Sequence, residues 1–265
     1  MSTTALLTDR AVIRLSGEDR LSFLQGIVTS DLDRLKTAPA LFASLLTPQG
    51  KILFDFFIVK EDDALLIDCS KDAAEALVKR LSLYKLRAKV SLEIADDKHV
   101  VASEAEISGG FADPRHQKLG WRAIVGDSDF ASDEDYDRRR VALGVPEFGK
   151  DFAGDEIFLT DVNYDALNGV SYKKGCFIGQ EVSSRMKRKG DVRRRTLIAT
   201  FDGPAPEKGA PVTAGGSTLG EIMSGADGRA LALIRLDRWE KAKADGAAID
   251  CGGRELRLAI PGYLE

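Results

Sequence analysis

The chain has 265 residues, of which 44% are apolar and 30% are charged, and its formal net charge is −4. This composition indicates a soluble globular protein, and the length allows two domains or one large one. No apolar run approaches the roughly 20 residues that span a bilayer, so we expect no transmembrane helix. The first ten residues lack a basic segment followed by an apolar core, so we expect no signal peptide.

Three cysteines, Cys69, Cys176 and Cys251, lie far apart in the sequence without a Cys-x-x-Cys pair. An odd number of widely spaced cysteines argues against a disulfide framework and for a reducing compartment. We therefore predict a cytoplasmic location.

The charge is unevenly distributed. Between Arg185 and Arg195 there are 7 basic residues and 1 acidic residue, whereas the rest of the chain is acidic. A basic run on an acidic body indicates a local anionic partner, and we do not expect general binding to nucleic acid.

In chain order, the first part of the chain is predicted to contain both strands and helices. Ser16 is predicted to cap a helix from about Gly17 to Gln25, with Leu21, Leu24 and Val28 facing inward. Strands are predicted on both sides of the turn Thr47–Gly50, which indicates a hairpin. The remaining predictions are strands at 12–15, 65–69, 90–94, 100–103 and 121–125 and helices at 72–83, 130–141 and 182–188.

The pattern changes near residue 195, after which short β segments alternate with glycine-rich turns. They are predicted at 195–201, 211–213, 217–224, 230–235 and 256–260, a pattern typical of a small barrel or sandwich. We therefore predict an α+β domain over residues 1–194 and a small β-barrel domain over 195–265.

Several enzyme classes lack their sequence signals. The two histidines, His99 and His116, are not near a serine or cysteine motif, so a catalytic triad is not expected. No zinc-ligand spacing, no Gly-x-Gly-x-x-Gly and no Walker-type loop occurs, which argues against a zinc or nucleotide enzyme.

The most specific segment is Lys-Gly-Cys-Phe-Ile-Gly-Gln-Glu at residues 174–181. It resembles the Lys-Gly-Cys-aromatic-x-Gly-Gln-Glu signature of the YgfZ family, folate-binding iron–sulfur protein maturation factors of the T-protein superfamily. Four further stretches resemble that family in the same order: Phe23–Asp31, Thr47–Asp55, Arg139–Pro146 and Leu219–Ser224.

The resemblance implies a T-protein-like fold, with two ferredoxin-like subdomains and a C-terminal β-barrel around a central folate cavity. The chain departs from glycine-cleavage T-proteins at two positions. One acid, Asp55, replaces their paired aspartates in the hairpin, and Ala142 stands where they carry a glutamate. These losses weaken the case for aminomethyl transfer, and Cys176 favours the maturation branch.

Cys176 is predicted to be the reactive residue. Lys173 and Lys174 precede it and a helix is expected to begin near Gly179, and both features favour a thiolate. One cysteine supplies one of about four cluster ligands, so any iron–sulfur cluster would be transient and shared with a partner. A buried, inert cysteine is the alternative.

The other motif residues have both structural and functional interpretations. Gly175 and Gly179 are expected to allow a tight turn and a close backbone approach, and Gln180 and Glu181 to cap a helix or bind a ligand.

The resemblance implies that a tetrahydrofolate contacts Asp55, and we extend the predicted site to Gln25, Thr29 and Arg185. An arginine suits the glutamate tail of folate. The alternatives are an Asp55 in solvent, helix-surface polarity for Gln25 and Thr29, and a solvated basic face.

Three functions remain open at this point. The first is a folate-binding factor for assembly or repair of iron–sulfur enzymes, including tRNA-modification enzymes, with assembly proteins or client enzymes as partners. The second is a tetrahydrofolate-dependent aminomethyl or one-carbon transferase. The third is an RNA-binding accessory module that uses the basic run.

Overall fold

The computed structural model describes residues 4–126, 129–131, 134–190 and 192–265. Contacts divide the chain into two compact units. The first unit comprises Met1–Asp133 and Asn168–Glu181, and the second comprises Glu134–Leu167 and Val182–Glu265. The predicted boundary at 194/195 follows a change in sequence pattern. The two units instead follow contacts between residues, so the two divisions of the chain do not coincide.

The first unit contains two antiparallel sheets. Its strands and helices are β1 Ala5–Leu6, β2 Arg10–Ser16, α1 Arg20–Gln25, β3 Ala40–Leu46, β4 Ile52–Lys60, β5 Ala64–Ser70, α2 Ala74–Lys85, β6 Ser91–Ile94, β7 His99–Ser103, β8 Phe111–Ala112 and β9 Trp121–Val125. The larger sheet has the order β3-β4-β5-β2-β6 and the smaller one β1-β7-β9-β8.

The predicted hairpin is confirmed as the pair β3–β4. All seven residues of β3 are buried, and the turn between the strands closes at Gly50, whose φ is +84°. Continuous burial suits the apolar run Ala-Leu-Phe-Ala-Ser-Leu-Leu, and glycine tolerates the left-handed backbone. The hairpin thus forms one side of the larger sheet, with β3 as its edge strand.

The predicted start of α1 is wrong by three residues. Ser16 is the last residue of β2, and α1 begins at Arg20. Gly17 turns the chain with a φ of +108°, at a point where a Cβ would lie 2.1 Å from the carbonyl oxygen of Lys89. Leu21 is 46% exposed, so the predicted inward face is confirmed only for Leu24 and Val28.

The second unit contains a seven-stranded antiparallel sheet with helices. Its elements are α3 Glu134–Leu143, most of α4 Gln180–Lys189, β10 Arg194–Thr200, β11 Pro211–Ala214, β12 Ser217–Ala226, β13 Arg229–Arg235, α5 Leu236–Ala244, β14 Ile249–Cys251, β15 Arg254–Glu255 and β16 Arg257–Ala259. The strand order is β15-β14-β11-β12-β13-β10-β16. Residues 132–133 of the predicted helix at 130–141 lie outside the described residues.

Two parts of the second unit were not predicted. Helix α5 follows β13 without an intervening turn residue, and it buries little more than Trp239 and Ala242. Strands β14 and β15 are three and two residues long. Such short segments carry little periodicity, so their pairing depends on the sheet that receives them.

No helix in the described ranges is long and apolar enough to cross a membrane.

Candidate functional site

The signature segment of residues 174–181, hereafter the signature loop, presents Cys176 to solvent. Cys176 is exposed, whereas Cys69 and Cys251 are buried. Burial raises the pKa of Cys69 to about 12 and also raises the pKa of Cys251. The alternative in which Cys176 is a buried core residue is therefore wrong, because the residue is open to solvent.

Lys174 anchors the signature loop. Its side chain is buried, and its Nζ donates to three backbone carbonyls, those of Gln25 (2.7 Å), Val28 (2.6 Å) and Ser30 (2.9 Å). Burial lowers the pKa of Lys174 to about 8, and the carboxylate of Asp31 opposes that shift. At neutral pH the amine is thus mainly the ammonium, whose three donors match the three acceptors.

The two glycines of the signature loop differ. Gly179 has a φ of +77°, and a Cβ there would lie 2.6 Å from the carbonyl oxygen of Thr47 and 3.0 Å from the Cβ of Leu46. Gly179 therefore packs against the β3–β4 turn, and the close backbone approach expected at Gly179 is present. The predicted close approach at Gly175 is wrong, because a Cβ there would meet no atom within 4 Å.

Helix α4 begins at Gln180, four residues after Cys176. The Gln180 N–H donates to the carbonyl of Phe177 at 3.2 Å, and its side-chain amide lies 3.4 Å from the carbonyl oxygen of Gly175. Glu181 is exposed in the first turn, where a carboxylate interacts favourably with the helix dipole. Gln180 and Glu181 therefore have evident structural roles.

Gln25 uses its side chain to brace the turn after α1. Its Nε2 donates to Asp31 at 2.8 Å, and its Oε1 accepts from the Leu32 N–H at 2.8 Å. The bond to Gln25 is the main cause that lowers the pKa of Asp31. Both ends of the amide are thus engaged within the first unit.

Thr29 is fully buried and joins three segments of the first unit. Its Oγ1 donates to the Gly169 carbonyl at 2.6 Å and accepts from the Ser44 N–H at 2.8 Å. Its carbonyl accepts from the Ser171 N–H at 2.9 Å. Thr29 is therefore not the helix-surface residue of the alternative interpretation, and its hydroxyl stabilises the chain itself.

Asp55 lies in β4 and is 2% exposed, so its interpretation as a solvent residue is wrong. Asp55 pairs with Ser44 of the neighbouring strand β3. It lies on the same sheet face as Phe57, two residues further along β4. Phe57 pairs with Asp68 of β5, which places Asp68 on that face as well.

A buried ion cluster occupies this face. Asp68 accepts from Arg10 at 2.6 Å and from Arg122 of β9 at 2.7 Å, and the Arg122 guanidinium lies 4.3 Å from the ring centroid of Phe57. Arg115, in turn, is paired with Asp113. The cluster links the two sheets of the first unit, and a polar residue inside the apolar run of β5 was the sequence signal for it.

Arg185 lies on α4 in the second unit and is exposed. Some arginines of the basic run that contains Arg185 already form ion pairs within the protein. Arg194 pairs with Asp161 at 2.6 Å, and Arg195 binds Asp165 through two nitrogens at 2.5 and 2.8 Å. The side chain of Lys189 lies outside the described residues.

A second buried ion cluster surrounds Arg140. Its guanidinium donates to Asp137 (2.6 Å), Asp151 (2.6 Å) and Ser224 (2.9 Å). The stretch at 139–146, which carried part of the family resemblance, is therefore built around a buried arginine that ties α3 to β12. Among the described residues no group of three or more His, Cys, Asp or Glu side chains is placed to hold a metal ion.

Comparisons with known proteins identify first the fold and then the family. The structure matches the crystal structure of the glycine cleavage system aminomethyltransferase T from Bartonella henselae with a TM-score of 0.74 and 15% identity, covering all of this chain and 86% of that one. Residues 193–265 match the family model described as the CAF17 C-terminal β-barrel domain. The predicted T-protein-like α+β fold with a C-terminal β-barrel is thus confirmed.

Curated relatives share sequence as well as fold. The mitochondrial iron–sulfur cluster assembly factor IBA57 is 31% identical in Homo sapiens and 30% identical in Mus musculus, each alignment covering 86% of this chain and 76% of the relative. The homologue from Neurospora crassa is 30% identical, and the chain spans about half of it, 54%. The chain therefore belongs to the IBA57 family of iron–sulfur cluster assembly factors.

The predicted cytoplasmic location is wrong. These relatives are named as mitochondrial proteins, which points to the mitochondrion. Unpaired cysteines indicate a reducing compartment, but they do not distinguish one reducing compartment from another.

Proposed function

We propose that this chain supports the assembly or repair of iron–sulfur clusters, acts through Cys176 and binds a reduced folate. The observation that carries the proposal is the presentation of Cys176: it is the exposed cysteine of a chain whose other two are buried. Membership of the IBA57 family supports the same role, with iron–sulfur assembly proteins or client enzymes as partners.

The proposed chemistry is iron ligation by the Cys176 thiolate. On ligation the thiol releases its proton, and sulfur donates an electron pair to an iron of a cluster that is cargo. Because clusters typically need about four ligands, a partner protein supplies the rest. Lys174 and Gly179 anchor the signature loop on either side of Cys176, whose thiol is exposed to a partner.

The folate part of the proposal rests on fewer residues than the sequence indicated. The side chains of Gln25 and Thr29 are engaged in the turn and strand contacts of the first unit. The resemblance relates Asp55, buried in β4 of the first unit, to the pterin. For the glutamate tail, the sequence argument names Arg185, an exposed residue of α4 in the second unit. The fit is therefore partial, and we assign no chemical step to the folate.

Genetic complementation tests the role of Cys176. In a strain that lacks its own family member, we expect the wild-type chain to restore the activity of cluster-dependent enzymes and Cys176→Ser to fail at equal protein level. The matched control is Cys251→Ser, which removes a buried thiol and should complement the strain. Full activity of Cys176→Ser would refute the proposed mechanism.

A folate-dependent transferase is the competing function. It requires turnover of tetrahydrofolate with an amine substrate and a strong dependence on Asp55 rather than on Cys176. The likeness to the aminomethyltransferase T structure shows the fold alone, because the identity is 15%. Folate binding without turnover, together with failure of Cys176→Ser to complement, separates the two functions.

Service to tRNA-modification enzymes is part of the proposal as one class of client. Cluster-dependent tRNA modifications should then fall in the deletion strain and recover on complementation, together with the activities of the other cluster-dependent enzymes.

A further inference from the structure

Two cavities of the second unit adjoin one another. One, of about 350 Å³, has walls from Phe158, Thr160 and helix α4. The other, of about 490 Å³, lies along β12 and β13 and includes Leu219 and Leu233. Arg193 and Arg194 line both cavities, so the two cavities meet at these arginines, and we call them together the arginine groove.

The α4 wall of the groove is one helical face. Val182, Arg185 and Met186 stand at positions i, i+3 and i+4, and they all line the first cavity. This face therefore combines two apolar side chains with one exposed guanidinium.

Hydrogen bonds to β10 hold a second part of the lining in place. Arg194 and the Phe158 N–H both bind the carboxylate of Asp161, at 2.6 and 3.0 Å. The Thr196 hydroxyl donates to the Asp161 carbonyl at 2.9 Å. A wall fixed by its own hydrogen bonds needs little reordering when a ligand binds.

The groove is strongly cationic. Five arginines line it against two carboxylates: Arg185, Arg193, Arg194, Arg235 and Arg238, with Asp161 and Glu221. Asp161 is already paired with Arg194. Arg235 is paired with Asp237, which lies outside the lining. Positive charge therefore exceeds negative charge along the groove, although the protein as a whole is acidic.

A buried hydroxyl in the lining indicates, as the arginines do, a ligand that carries hydrogen-bond acceptors. Thr160 is 4% exposed, and among the described residues its Oγ1 has no hydrogen-bond partner. A buried hydroxyl without a partner is uncommon in native proteins. A ligand carboxylate at this wall would give that hydroxyl an acceptor.

We propose that the arginine groove binds an extended acidic segment of a partner protein, in which carboxylates alternate with apolar side chains. The arginines would pair with the carboxylates, and the apolar side chains would contact Val182 and Met186 in the first cavity and Leu219 in the second. In an extended chain, alternate residues point to opposite sides, which suits a lining that carries both arginines and apolar side chains. This inference is independent of Cys176 and of folate.

A protein segment fits better than single-stranded nucleic acid. Sequence-independent binding of single strands relies on aromatic platforms for the bases as well as on cations. The lining of the two cavities contains one aromatic residue, half-buried Phe158. Its other apolar residues are aliphatic side chains and a methionine, which contact aliphatic side chains well.

The test uses the full chain and a fluorescein-labelled peptide in which glutamate and leucine alternate. We expect saturable binding that weakens as salt rises, and a loss of at least about tenfold in affinity for the double variant Arg185→Glu/Arg193→Glu, because reversed charges repel the peptide. The matched control is Arg229→Glu/Arg257→Glu, two exposed arginines of the same sheet outside the groove. The control should change affinity by less than about twofold.

Three results would overturn the inference. They are equal binding of a peptide with lysine in place of glutamate, equal losses in the two double variants, and tighter groove-dependent binding of an oligouridylate than of the acidic peptide. Melting temperatures of both variants, expected to match wild type, show that the fold is intact. Failure here leaves the Cys176 complementation result unaffected, so the two proposals fail separately.

Discussion

At the scale of single residues, the three cysteines differ in structural environment as well as in sequence context. Cys176 is exposed, whereas burial raises the pKa of Cys69 to about 12 and also raises that of Cys251. Since the thiolate is the reactive form, a cysteine with a pKa of about 12 is about one part in 10⁴ thiolate at pH 8. Selective chemistry at Cys176 follows from this contrast.

Alkylation of the native protein at pH 8 should therefore modify one thiol rapidly. We expect iodoacetamide to label Cys176 first, with Cys69 and Cys251 protected until the protein unfolds. Mass spectrometry of tryptic peptides over time measures the three rates, and Cys176→Ser should abolish the fast phase. Comparable rates at Cys69 and Cys176 would contradict the burial described here.

Lys174 is the second residue whose role depends on its partners. Lys174→Met would leave three carbonyls without this donor, two of them in buried contacts, and we expect a loss of about 2 to 4 kcal/mol in the free energy of unfolding. The neighbouring Lys173 is exposed, so Lys173→Met is the matched control, with a change within about 0.5 kcal/mol. Urea unfolding monitored by circular dichroism compares them, and equal stabilities would exclude the anchoring role.

Residue roles were the least predictable from sequence. The signature at 174–181 singled out Lys174, but its three acceptors belong to residues 144 to 149 positions away. Gln25 and Thr29 were predicted as ligand residues, whereas the structure engages their side chains in local and long-range hydrogen bonds. Polarity marks a side chain as a hydrogen-bonding group, but tertiary contacts decide which atom it meets.

At the scale of elements, the signature loop is fixed at one end by the hairpin. Gly179 sits against the β3–β4 turn in a left-handed conformation, whereas Gly175 faces open space. The two glycines of one motif therefore carry different structural demands.

Alanine substitution at the two positions separates these demands. Gly179→Ala should cost about 2 to 4 kcal/mol, because it combines backbone strain with an overlap at the Thr47 carbonyl. Gly175→Ala should change the free energy of unfolding by less than about 0.5 kcal/mol. Thermal unfolding measures the difference, and a destabilised Gly175→Ala with a stable Gly179→Ala would reverse the assignment.

Arg140 holds α3 to β12 inside the second unit. Arg140→Leu would leave buried Asp151 without its cation, and breaking such a buried pair costs about 3 to 5 kcal/mol. The control is Arg138→Ala, since exposed Arg138 pairs at the surface with Asp135 and Asp227 and should contribute at most about 1 kcal/mol. Chemical denaturation of both variants gives the comparison, and similar losses would contradict a dominant buried cluster.

Elements with strong local signals were predicted well. The hairpin has a Pro-Gln-Gly turn between apolar strands, and the helix predicted at 182–188 is confirmed as α4, followed by Gly190 with a φ of +64°. The start of α1 was predicted too early because Ser16 also suits the end of a strand. Helix α5 and the strands β14 and β15 escaped prediction because their patterns are short and mixed.

At the scale of the whole molecule, fold class and family came from different sources. The mixture of helices and antiparallel strands, followed by short strands, predicted an α+β body with a β tail. The T-protein fold itself required the motif resemblance, because local patterns do not encode how sheets are arranged. The family assignment places the chain among iron–sulfur cluster assembly factors, and action through the exposed Cys176 is our proposal.

The most direct measurement concerns the thiol in the purified protein. An extract from a strain that lacks its own family member is supplemented with this protein, and reactivation of a cluster-dependent enzyme is followed over time. We expect native protein to restore activity, and protein alkylated only at Cys176 to lose that effect while its melting temperature is unchanged. Undiminished reactivation by the alkylated protein would contradict a function that acts through this sulfur.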